Sequence, residues 1–112
     1  MVRYLDPVYG NDITDDVSLV IDHLHSSQIL REDDLSGRFE VYRVMYTYRT
    51  KRGNQRQHEK YILLSGRDCE NGCLRARRFF LQWCSKFNNS NPYRRIKVSA
   101  LNVEDFAYGQ VS

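Results

Sequence analysis

The chain has few of the residues that interrupt or cross-link a fold. Of its 112 residues only two are proline, Pro7 and Pro92, and both stand near the ends, where they break no central element. Three cysteines, Cys69, Cys73 and Cys84, cannot all pair within one chain. That points to a reducing, cytoplasmic setting rather than a disulfide-built secreted domain. No apolar run approaches the ~20 residues that a membrane helix requires, so no membrane partner is expected. The first ten residues carry Arg3 and lack the apolar stretch of a secretory signal. No repeat, low-complexity tract or Pro/Gly/Ser-rich linker divides the chain, and residues 1–112 read as one small domain. A glycine-rich phosphate loop, a Gly-x-Ser-x-Gly elbow and a His-Glu-x-x-His pair are also missing. An enzyme is not expected.

Hydrophobic residues make up 41% of the chain, with eight tyrosines, five phenylalanines and one tryptophan, enough to build a packed core and to exclude a disordered polymer. The formal net charge of +3 conceals a division. Residues 1–40 hold nine acids against three bases, a net −6, and residues 41–112 hold 14 bases against five acids, a net +9. Either the acidic front neutralises the basic back across one surface, or an exposed basic face is offered to a partner.

Along the chain, Thr14 has the chemistry of a helix N-cap, and Asp15 and Asp16 fall in a first turn where carboxylates favour the helix dipole. Val17, Val20, Ile21 and Leu24 then recur at helical spacing, and the helix fades around Ser26–Ser27. Gln28 to Gly37 is mixed, a loop or short turn. Arg38 to Thr50 is dense in β-branched and aromatic residues and reads as a long strand. Arg52-Gly53-Asn54-Gln55 supplies a turn, and roughly Gln57 to Ser65 completes a hairpin. Asp68 can cap a second helix, in which Cys69, Cys73, Ala76, Phe80, Trp83, Cys84 and Phe87 share a face. Asn88-Asn89-Ser90-Asn91-Pro92 is a stop signal, Tyr93 to Val103 a last strand, and the remainder a short loose tail. The expected fold is α+β, an antiparallel sheet of three to four strands with two helices packed on one face, in the order α-β-β-α-β. A strand at Val2–Val8 would convert this to a ferredoxin-like βαββαβ arrangement, although Pro7 confines such a strand to an edge or an end.

The cysteines fit buried apolar positions better than metal ligation, because structural zinc favours turns with two-residue ligand spacing. His23 and His25 flank Leu24 and point apart, and neither they nor His58 form a ligand pair. Asp33 and Asp34 beside Glu32 serve a turn or solubility. No metal or cofactor is implied.

The hairpin is the informative feature. Arg43, Arg49, Lys51, Arg52, Arg56 and Lys60 fall within eighteen residues, against the single acid Glu59. Such cations neutralise phosphates, and the rings of Tyr46 and Tyr48 can stack on bases. Arg75 and Arg78 on the second helix, followed by Arg94, Arg95 and Lys97, extend the basic region. Lysine and arginine at a hairpin tip also guard a sheet edge, and Tyr42, Val44 and Tyr46 also suit a core face. The leading expectation is a non-enzymatic module that binds nucleic acid or another polyanion through this hairpin. The rival is a small protein-interaction or inhibitor protein, of the kind viruses and mobile elements encode, using a sheet edge or the acidic first helix (Asp12, Asp15, Asp16, Asp22). A homodimer through a sheet edge is a third reading.

Known nucleic-acid modules do not account for the pattern. A double-stranded-RNA-binding domain places three strands before a lysine-rich second helix, whereas two strands precede an acidic start (Asp68, Glu70) here. Residues 57–64 lack the aromatic signature of an RNA recognition motif, and Gly66 and Gly72 are too far apart for the Gly-x-x-Gly of a KH module.

Overall fold

The long central strand is apolar on both of its faces, and this decides the architecture. In the computed structural model, which describes residues 2–32, 35, 37–50, 52–65, 72–93 and 95–111, the chain runs β1 (Val2–Leu5), α1 (Thr14–Ile21), a short 3-10 turn (Ser26–Gln28), β2 (Ile29–Arg31), β3 (Arg38–Arg49), β4 (Gln55–Ser65), α2 (Gly72–Ser90) and β5 (Lys97–Val111). The strands form one five-stranded sheet in the order β1-β5-β3-β4-β2. It is mixed, since β2 runs parallel to β4 while the other pairings are antiparallel.

Because side chains alternate along a strand, Tyr42, Val44 and Tyr46 of β3 meet Ile62, Leu64 and the α2 residues Ala76, Phe80 and Cys84 on one side. Phe39 and Val41 meet Tyr4, Tyr61, Ala107 and Val17 of α1 on the other. The two helices therefore cover opposite faces, not one, as a strand apolar on both sides demands. A ferredoxin-like sheet is likewise not formed. β1 lies at an edge, and the segment after α1 contributes the additional strand β2.

Local chemistry explains the boundaries. β1 ends before Asp6-Pro7, as proline requires. Thr14 opens α1 but does not cap it. Its hydroxyl accepts from the Tyr4 amide at 3.0 Å and donates to Asp12 at 2.6 Å, tying the helix to β1. Gly53, at φ +82°, makes the hairpin turn. Gly72 allows α2 to close on the sheet: a Cβ there would collide with the Tyr42 hydroxyl, which donates to the buried Glu40 carboxylate.

Several boundaries differ from expectation: α1 ends at Ile21, short of Ser26–Ser27, and β5 begins at Lys97, not Tyr93. α2 continues through Asn88-Asn89-Ser90, because Asn88 turns its amide to both backbone groups of Ile96, accepting from its N–H at 2.6 Å and donating to its carbonyl at 3.1 Å. The tail after Glu104 is not loose. β5 runs to Val111, pairing with β3 on one side and, over residues 108–111, with β1 on the other. Register shifts at Val41/Tyr42 and Thr47/Tyr48 leave Phe106 and Ser99 as extra residues in β5. Each bulge breaks the two-residue period by which a strand is read.

Candidate functional site

Beyond the stretch covered by α1 and β1, the β3–β4 hairpin continues past the core, and the C-terminal half of α2 runs alongside it. Between them lies a cleft of about 670 Å³, within the range of small-ligand sites. Tyr46, Tyr48 and His58 from the hairpin, Trp83 and Phe87 from α2, and Tyr93 and Ile96 beyond it form the walls. His25, Ser27 and Gln28 close the side nearest the 3-10 turn, and Arg49, Lys60 and Arg95 bring positive charge. Glu59 is the carboxylate among the lining residues.

The rings form a continuous series. Trp83 stacks on Phe80 at 6.0 Å and lies 5.4 Å from Phe87; Phe80 lies 4.8 Å from Tyr46; Tyr48 is 6.0 Å from Tyr46 and 5.4 Å from His58. The Tyr48 hydroxyl is 3.4 Å from His58 Nε2. Tyr46 is buried in the α2-side core, and burial pushes its phenol up to about 12. Tyr48 is half-buried, and Tyr93, at 80% exposure, presents its ring to solvent beside the cleft. A second hollow, of about 470 Å³, lies on the sheet face that α1 leaves uncovered and is lined by Met45, Thr47, Gln57, Glu59 and Asn102, without a cation.

The basic residues singled out from the sequence separate into two groups. Some are held within the fold. Arg43 pairs with Glu104 across β3 and β5, and although burial opposes its charge, that hydrogen bond and ion pair raise its pKa. Lys60 is buried: its Nζ donates to the Ser27 carbonyl at 2.6 Å and lies 4.4 Å above the Trp83 ring, and burial lowers its pKa. Arg75 donates to the Ser65 carbonyl and pairs with Glu32 at 3.3 Å. Arg78 is exposed but lies with Arg75 and Glu32 on the β2 side of α2, not at the hairpin end.

The others lie at the hairpin end of the sheet. Arg49 and Arg95 line the cleft, Arg56 stands opposite Tyr48 in the ladder, and Arg52 is in the hairpin turn. Lys97 is opposite Arg49, a juxtaposition of like charges that is unfavourable without an anion between them. All five are exposed, and among the described residues none is ion-paired. Asp12, Asp15, Asp16 and Asp22 belong to the β1/α1 end, where Asp12 pairs with Arg3. The opening aspartates therefore do not quench this patch. Lys51, Arg94, Asp33, Asp34, Asp68 and Cys69 lie outside the described residues.

The remaining groups have structural surroundings. Cys84 is buried, which pushes its thiol up to about 11, and Cys73 is half-buried, with its thiol raised by burial and the nearby Asp105 carboxylate. His23 contacts the Leu19 carbonyl at 2.7 Å, and His25 caps the 3-10 turn. Among the described residues no three His, Cys, Asp or Glu side chains are grouped to hold a metal ion, and no helix is long and apolar enough to cross a membrane.

Trp83, Phe87 and Tyr93 were not distinguished as site residues in the sequence. The available signal is the length of the α2 stripe, which continues to Phe87, past the last fully buried position at Cys84. No protein-family model matches the chain, and no curated protein or solved structure shows significant similarity to it.

Proposed function

We propose that the chain is a non-enzymatic binding module for nucleic acid or a related polyanion, which it takes at the hairpin end of the sheet. The observation that carries this reading is the cluster of Arg49, Arg52, Arg56, Arg95 and Lys97 at the hairpin end of the sheet, with Arg49 and Arg95 lining the cleft, all exposed and without carboxylate partners among the described residues. Cations so placed release counterions from a phosphate chain, and the neighbouring rings add contact area. Arg43, Lys60 and Arg75, already engaged within the fold, are left out of the contact set.

Titration of labelled DNA and RNA at several salt concentrations tests the reading. Three to five phosphate contacts correspond to a slope of about −2 to −4.5 in log K against log salt. Arg49→Glu combined with Arg95→Glu should abolish most of the binding. Affinity indifferent to salt, or no binding at low salt, would remove the proposal.

A second reading is favoured by α1, where Leu19 is 65% exposed on a helix carrying Asp15, Asp16 and Asp22. An exposed leucine ringed by acids suits contact with a basic protein surface. Charge reversal on α1 and on the hairpin distinguishes the two: a protein partner lost only with the α1 changes supports this second reading.

A further inference from the structure

We propose that the cleft between α2 and the hairpin seats an unpaired nucleobase, so that the ligand is single-stranded nucleic acid rather than duplex. This rests on the polyanion reading and specifies its ligand. Cations alone do not distinguish single from double strands, because both carry phosphates. The distinction comes from what the cations surround.

The cleft is walled by aromatic rings, of which Tyr93 and Tyr48 are those an entering base would meet. Tyr93 is exposed at the mouth, and Tyr48 forms part of the wall on the hairpin side. Tyr46 and Phe80 lie behind Tyr48 in the core and fix its surroundings. Trp83 carries the Lys60 ammonium over its ring and forms a wall of the cleft. Polar groups of Ser27 and His58 also reach the cleft, where the edge of a base could meet donors and acceptors.

A base in a duplex has both faces covered by its neighbours and its pairing edge occupied. It could reach only the cationic rim and the mouth, and could not insert between Tyr48 and the α2 wall. An unpaired base can leave its stack and enter, while its flanking phosphates lie along Arg49, Arg56 and Arg95. This is the division of labour by which single strands are held: stacking on rings, with a positive track for the backbone.

The chain has one tryptophan, and it lines the cleft, so the intrinsic fluorescence of the full-length protein reports occupancy directly. Short oligothymidylate or oligouridylate, a blunt duplex of equal length and heparin are titrated in turn. We expect the oligonucleotides to change Trp83 emission and to bind at least tenfold more tightly than the duplex, with heparin bound at low salt but leaving the emission unchanged. Tyr93→Ala, at an exposed position that spares the core, should weaken single-strand binding by about five- to 150-fold, the range expected for one lost base–ring stack. Heparin affinity should stay the same, and Tyr93→Phe should restore binding. Equal affinity for single strand and duplex, with silent Trp83 emission and an unaffected Tyr93→Ala variant, would overturn the inference while leaving the polyanion reading intact. Failure of every polyanion to bind would overturn both.

Discussion

Lys60 shows how far a charged side chain can differ in role from its neighbours in sequence. Its ammonium donates to the Ser27 carbonyl and sits over Trp83, while Arg56, four residues earlier, faces solvent. Lys60→Met would keep much of the buried stem but leave that carbonyl without its donor. We expect a loss of about 1–2 kcal/mol in urea denaturation, with the salt slope of ligand binding unchanged. The buried phenols give a second residue-level expectation. Tyr46 is pushed up to about 12 by burial, and Tyr42 is raised further by burial and the Glu40 carboxylate. An unfolded tyrosine ionises near pH 10, so between pH 10 and 12 the unfolded state loses protons that the native state keeps. The stability contributed by these groups is complete below pH 10 and falls as pH rises towards 12. Denaturation measured at pH 8, 10 and 11 should show that fall, and Tyr46→Phe should reduce it. None of these partners was legible in the sequence: Ser27 lies 33 residues from Lys60 and is brought to it by the parallel pairing of β2 with β4.

Elements were legible where a single period ran uninterrupted. β3 and its turn follow from a run dense in β-branched and aromatic residues closed by Gly53, and α2 from a stripe repeating over several turns. β5 was legible only in its first half, because the bulges at Ser99 and Phe106 reset which side chains face which layer. Its last residues nevertheless support the α1-side core, where Ala107 packs and Gly109 admits the ring of Phe39. A Cβ at Gly109 would collide with that ring, which is only 4% exposed and closely enclosed. Gly109→Ala should therefore cost about 1–3 kcal/mol, read as a lower urea midpoint at unchanged slope. An unshifted midpoint would mean that Phe39 has room to rotate away.

At the scale of the whole molecule, the α1 aspartates and the hairpin-end cations stay apart in space, although Glu32 of the acidic half pairs with Arg75 of the basic half. The chain measures 45 × 24 × 22 Å, and a twelve-residue strand such as β3 spans about 40 Å, so the hairpin tip and the β1/α1 region lie towards opposite ends of the long axis. The asymmetry of charge was therefore readable from composition. The site itself was half readable: the cations at the tip were identified, but the aromatic enclosure beside them is assembled from α2, the hairpin and the residues after Pro92, which no local pattern connects. The length of the body has a further consequence. A strand gripped at one tip leaves α1, with Leu19 and its aspartates, standing free at the far extremity. Engagement at either extremity would not obstruct the other, so under the proposed reading the α1 end stays open while the hairpin end holds its ligand.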